Sequence, residues 1–170
     1  IIEGKPLPEP LSYATKPEVG YLAPNFSIKT VEGKQVRLAD YLGKVVIIDF
    51  WATWCPFCAS QYNSLSRFGS MAKKDLVILS VNRAETKQAV QDFFKKLNRP
   101  ENFLVGVDPS DTLFGHYNGT ALPLLIFIDR DGVIRAIVDH EMTVQDIYDT
   151  ALPLLRAMPA CWQEGRGKTC

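Results

Sequence analysis

Charge of one sign, long apolar runs, histidine and cysteine are all scarce in this sequence, and each shortage removes a class of function. Basic and acidic side chains balance at 19 each among 170 residues, for a formal net charge of zero and a pI near 6.9. Nothing in that balance marks a nucleic-acid or anionic-membrane binder. The longest apolar runs, Val45–Ile48 and Leu122–Ile128 (interrupted by Pro123), are far too short to span a bilayer. The two histidines, His116 and His140, stand isolated, so no metal site is expected. Only four cysteines occur: Cys55, Cys58, Cys161 and Cys170. An even count fits an oxidising compartment, yet a chain of this length builds a core without disulfides. What is present is globular: 46% apolar and 22% charged residues exclude a disordered chain.

Residues 1–18 hold four of the eleven prolines and no periodicity, as in an extended linker. The chain opens Ile1-Ile2-Glu3 without methionine, as expected if a signal peptide or anchor has been removed. Phe26–Thr30 and Gln35–Leu38 flank Val31-Glu32-Gly33-Lys34 and predict a β-hairpin turning at Gly33. Leu38–Leu42 predicts a helical turn. Val45–Trp51 is apolar almost throughout and β-branched, which predicts a strand covered on both faces. A helix should start near Cys55–Pro56, with Cys58, Tyr62, Leu65, Phe68 and Ala72 as its buried stripe.

Leu76–Val81 reads as a second buried strand. Thr86–Asn98 reads as a helix showing Val90, Phe93, Phe94 and Leu97 on one face and stopping before Pro100. Phe103–Val107 predicts a short strand, and Leu124–Asp129 with Val133–Val138 a second hairpin. Thr143 and Asp146 form a capping-box start to a last helix, which Pro153 should kink or end. Strands alternating with helices predict an α/β sandwich around a mixed sheet.

The chemistry concentrates in Asp49-Phe50-Trp51-Ala52-Thr53-Trp54-Cys55-Pro56-Phe57-Cys58. Thiol–disulfide exchange needs an attacking thiolate and a second thiol near enough to resolve the mixed disulfide. Two cysteines three positions apart on the first helical turn meet that need. Cys55 falls where unpaired N–H groups and the helix dipole favour a thiolate. Pro56 suits the first helical position, where its missing N–H has no partner to lose. Cys58 lies on the buried stripe, which makes it the shielded, resolving thiol. Trp51 and Trp54 would shield one side and offer an apolar rim. Asp49 interrupts an apolar strand, so burial should raise its pKa and fit it to accept the Cys58 proton.

On these residues the chain resembles the thioredoxin superfamily, and within it the extracytoplasmic TlpA/ResA/CcmG-like oxidoreductases of the redoxin group. Gly20–Phe26, Gly33–Val36, Leu38–Lys44, Phe50–Cys58, Ser80–Asn82, Leu122-Pro123 and Ile128–Ile134 carry the resemblance, which runs from about Val19 to Leu155. It implies a thioredoxin-like fold, with a central mixed sheet flanked by helices on both faces and an N-terminal β-hairpin. It implies a linker at 1–18, one domain at 19–155 and a tail at 156–170. It further implies a cis Pro123, Leu122 offering its backbone to a partner chain, and Trp54, Pro56 and Phe57 around the partner groove. Protein thiols and disulfides would be the substrates and a second redox protein the upstream partner, with no cofactor. The family favours a reductase outside the cytoplasm, in cytochrome c maturation or similar assembly.

Several positions depart from that pattern. Gln61 and Asn63 stand where such reductases often carry Glu and Pro, which shifts proton handling toward Asp49 and predicts a straighter helix. Asp49 itself is thioredoxin-like, since many relatives have Asn there. Pro56-Phe57 matches no single subgroup, so the direction of electron flow stays open. A thiol peroxidase is a weaker alternative, because Ala52 stands where that chemistry needs Thr or Ser. Another alternative is a copper-handling protein holding Cu(I) on Cys55, Cys58 and a histidine. Cys161 and Cys170 close a short glycine-containing loop and could form a second disulfide, structural or shuttling.

Overall fold

Runs of β-branched residues and stripes at helical spacing alternate along the chain, and the elements follow them in a computed structural model that describes residue 7 and residues 12–157. The strands are β1 (Ser12–Thr15), β2 (Tyr21–Leu22), β3 (Ser27–Thr30), β4 (Gln35–Arg37) and β5 (Val45–Trp51), then β6 (Leu76–Arg83), β7 (Phe103–Asp108), β8 (Leu124–Ile128) and β9 (Ile134–Val138). The helices are α1 (Pro56–Ala72), α2 (Lys87–Phe94), α3 (Thr112–His116) and α4 (Val144–Arg156). A seven-stranded sheet in the order β4-β3-β7-β6-β5-β8-β9 forms the centre. Strands β5, β6 and β7 run parallel, while β8, β9, β3 and β4 add antiparallel pairings on either side.

Every residue of β5 is buried, which explains why its sequence does not alternate. Side chains along a strand point alternately to the two faces, so β5 feeds two cores. Val45, Ile47 and Trp51 pack with Cys58, Tyr62, Leu65, Val90, Phe94 and Ile147 beneath α1, α2 and α4. Val46, Ile48 and Phe50 pack on the opposite face with Phe26, Val36, Phe114 and Tyr117. Gly106 lets β3 approach β7, since a Cβ there would lie 2.2 Å from Cδ1 of Ile28. Gly33, at φ +89°, makes the turn between β3 and β4.

Four elements differ from the sequence expectations. Helix α2 ends at Phe94, well before Pro100, because Lys95 and Leu97 donate to Asp92 and Phe94 in tighter i→i−3 turns. Leu97 is consequently exposed rather than on the buried stripe. Helix α4 runs through Pro153 to Arg156. Pro153 and Asp149 both face solvent, so the carbonyl that loses its backbone donor is open to water. Helix α3 has five residues, too few for a 3.6-residue period to show in the sequence. Within the expected linker, β1 pairs with β2 as a small parallel sheet. Residues 1–6 and 8–11 of that linker lie outside the described residues, as do Cys161 and Cys170 in the tail.

Candidate active site

The C-terminal end of β5 delivers the chain directly into the start of α1. Cys55 is the N-cap of α1, with extended backbone, and its Sγ accepts the Cys58 N–H at 3.2 Å. Pro56 opens the helix. Cys55 and Cys58 are joined by a disulfide, with Cα atoms 5.3 Å apart. In this oxidised form neither sulfur is the open one: each cysteine is 4% exposed. The expected contrast between an accessible and a shielded thiol is therefore absent from the disulfide state. The same helix-start N–H that now meets Cys55 Sγ is placed to stabilise a thiolate once the bond is reduced.

Around this buried bond the surface is apolar. Trp54 and Phe57 are 70% and 60% exposed, the first immediately before Cys55 and the second between the two cysteines. Both rings are open to apolar contact beside the disulfide. Trp51 points inward instead, its ring 4.8 Å from Phe93 and 5.4 Å from Phe94 between centroids. The Leu122–Pro123 peptide bond is cis, Pro123 is buried and Leu122 half-buried at the head of β8. Because β8 pairs with β5 from Phe50 to Val46, the Leu122–Pro123 turn and the β5–α1 junction share one end of the sheet.

The strand that leads into the disulfide carries a buried polar group. Asp49 is 4% exposed, and its Oδ2 accepts the Ser80 hydroxyl at 3.1 Å across the β5–β6 rung that pairs them. Oδ1 has no hydrogen-bond partner among the described residues. Burial pushes the Asp49 carboxyl up to about 7, with the Ser80 hydrogen bond only partly opposing it. Trp51 Nε1 and Asn82 Oδ1, on the next rung of the same face, are also buried and unpartnered among the described residues. Three such atoms on adjacent rungs are unusual, since buried polar groups are otherwise nearly always paired.

Other residues of the site carried no clear signal in the sequence. Glu85 accepts the Thr53 N–H at 2.8 Å, the Thr53 hydroxyl at 2.5 Å and the Asn82 amide at 2.7 Å. Burial works against its ionisation, but the hydrogen bonds from Thr53 and Asn82 outweigh it and hold the carboxyl below its usual range. Glu85 thereby fixes the Ala52–Trp54 loop that leads into Cys55. Asn82 could have been noticed as a second polar interruption of an apolar strand, whereas Glu85 is one loop acid among many. Gln61, one turn beyond Cys58, is fully buried. Its carboxamide donates to the Met142 carbonyl at 3.2 Å and accepts the Met142 N–H at 2.7 Å, tying α1 to the loop before α4. A residue that the sequence presents as a lost proton carrier is a clamp.

His116 and His140 are exposed, and no three metal-ligating side chains cluster among the described residues. The AhpC/TSA family matches residues 19–137. The thiol–disulfide oxidoreductase ResA of Geobacillus kaustophilus (strain HTA426) is 35% identical over 130 residues, covering 76% of this chain and 74% of the relative. ResA of Bacillus subtilis (strain 168) is 31% identical over 75% of this chain and 70% of its own. Among solved structures, the exposed lipoprotein thioredoxin Etrx1 of Streptococcus pneumoniae strain TIGR4 is 30% identical with a TM-score of 0.69, over 77% of this chain and all of that one. A putative thiol:disulfide interchange protein DsbE from Chlorobium tepidum has a TM-score of 0.72 at 25% identity, over 79% and 95% of the two chains. With the disulfide at the head of α1 and these relatives, the chain belongs to the AhpC/TSA family and is a thiol–disulfide oxidoreductase.

Proposed function

We propose that the protein reduces disulfides in partner proteins outside the cytoplasm, with Cys55 as nucleophile, Cys58 as resolving thiol and Asp49 as proton acceptor. In the dithiol form, the Cys55 thiolate attacks one sulfur of a substrate disulfide and the other substrate sulfur leaves as a thiolate. The mixed disulfide is then resolved within α1. Cys58 loses its proton to Asp49, attacks Cys55 Sγ and releases the second substrate thiol, leaving the Cys55–Cys58 disulfide. Two electrons have moved from the protein to the substrate, so a dithiol partner upstream must restore the pair. Trp54, Pro56 and Phe57 form the docking rim, and the backbone of Leu122 beside Pro123 meets an extended substrate segment. Residues 19–155 act as the working domain, with 1–18 as linker and 156–170 as tail.

The observation that carries this reading is the Cys58 N–H on Cys55 Sγ at a helix start, reached from a strand whose buried Asp49 carboxyl keeps one oxygen unpartnered among the described residues. A peroxidase is disfavoured by Ala52, which offers no hydroxyl three residues before Cys55. Location outside the cytoplasm is supported by relatives described as an exposed lipoprotein and as a secreted disulfide oxidoreductase. Substrates in cytochrome c maturation or similar assembly fit the same setting. The reduction potential of the Cys55–Cys58 pair tests the direction. A value near roughly −270 mV fits a reductant, and one near roughly −120 mV would make the protein an oxidant instead.

A further inference from the structure

At the end of the sheet opposite the disulfide, a cleft of about 640 Å³ is lined by four lysines and a single carboxylate. The lysines come from three separate stretches of chain. Lys34 lies in the turn between β3 and β4, Lys44 immediately precedes β5, and Lys73 and Lys74 follow α1. Glu101 is the one acidic residue of the lining. None of the four lysines makes an ion pair among the described residues, although the chain holds as many acidic as basic side chains. Cations that outnumber the nearby carboxylates raise the local potential and concentrate anions in a concave, low-dielectric site.

The walls are fixed rather than fluid. The Asn102 amide spans the carbonyls of Gly69, Lys73 and Leu76 at 2.7–3.1 Å, locking the end of α1 to the start of β6. Leu76, Val77 and Leu104 supply an apolar floor and Tyr41 one flank. The volume falls within the range of small-molecule sites. Lysine binds phosphate as a point charge, whereas paired recognition of a planar carboxylate favours the arginine fork. No arginine lines this cleft.

We propose that the cleft binds a phosphoryl-bearing anion, supplied either as a soluble oligophosphate or as the phosphate of an anionic lipid headgroup. The site is independent of the thiol chemistry. Strand β5 separates it from Cys55 by seven residues, roughly 20 Å of extended chain. An occupied cleft therefore leaves the disulfide face open to a partner protein.

The test titrates the full chain with sodium tripolyphosphate while following backbone amides by NMR. A parallel arm measures sedimentation with phosphatidylcholine vesicles prepared with and without phosphatidylglycerol. Saturable shifts confined to residues 34, 41–44, 69–77 and 100–104 are expected in the first arm if the ligand is soluble. Retention only by the phosphatidylglycerol vesicles is expected in the second if it is a headgroup. The double substitution Lys73→Gln/Lys74→Gln should weaken whichever interaction is seen roughly tenfold. Lys95→Gln/Lys96→Gln, two exposed lysines outside the cleft, should leave it unchanged, and both variants should keep normal thiol exchange. No saturable response in either arm would overturn the proposal. So would equal weakening by the two lysine pairs, or a glutamate hexapeptide binding as tightly as tripolyphosphate.

Discussion

Asp49, the proposed proton acceptor, ties the proposed chemistry to the stability of the fold. Its carboxyl is held near 7 in the fold against 3.8 for a free side chain, chiefly by burial. Below about pH 4 it is neutral in both the folded and unfolded chains and favours neither. Between pH 4 and 7 the unfolded chain ionises while the folded one keeps its proton, so stability falls across that window by at most about 4 kcal/mol. Asp49→Asn abolishes this dependence. In urea titrations of the disulfide form, the variant should gain on the wild type from pH 4 to pH 8. Parallel pH profiles for the two proteins would show that the carboxyl is not held neutral. The same substitution should slow release of a peptide trapped on Cys55 by roughly a hundredfold at pH 7, because the Cys58 proton then lacks its acceptor. Unchanged release would remove Asp49 from the mechanism.

At the scale of elements, two polar clamps hold α1 and its entry loop in place. Gln61 fills the donor and acceptor needs of Met142 in a fully buried setting. Gln61→Ala leaves both backbone groups unpaired and should cost about 3 kcal/mol in denaturant unfolding. A loss below about 1 kcal/mol would mean that the loop before α4 finds other partners. Glu85 plays the matching part for the loop ahead of Cys55. In Glu85→Ala, amide hydrogen exchange at Thr53 should quicken at least roughly tenfold, since its hydrogen bond to the carboxylate is gone. Unaltered protection there would transfer the loop's rigidity to other contacts.

The difference between these clamps and the cysteines also explains what the sequence made legible. β5, β6, α1 and the Thr143–Asp146 capping box carry their cause within a dozen neighbouring residues, as period, apolar run or cap. The redox pair does too, because its spacing is its chemistry. Glu85 reaching Thr53 across 32 positions, or Gln61 reaching Met142 across 81, is a product of tertiary packing with no local trace. The early end of α2 and the passage of α4 through Pro153 escaped for a related reason. Solvent around Asp149 and a tightened turn after Phe94 decided them, overriding propensity.

For the molecule as a whole, balanced charge does not mean an even surface. The disulfide end presents Trp54 and Phe57 on an apolar rim, and the opposite end gathers lysines around a cleft. Recognition of a substrate at the disulfide end should therefore rest on apolar contact and backbone pairing, with little electrostatic steering. The rate constant for reducing an uncharged disulfide peptide should change less than about twofold between low and physiological salt, because no long-range attraction exists to be screened. Trp54→Ala and Phe57→Ala should each lower kcat/KM roughly tenfold, the loss of a well-buried aromatic contact. In Trp54→Ala the reduction potential should stay put, since Trp54 is exposed and lies outside the Cys55–Cys58 segment. A steep salt dependence would place charged residues in the docking face. A shifted potential in Trp54→Ala would mean that this ring tunes the disulfide rather than receives the partner.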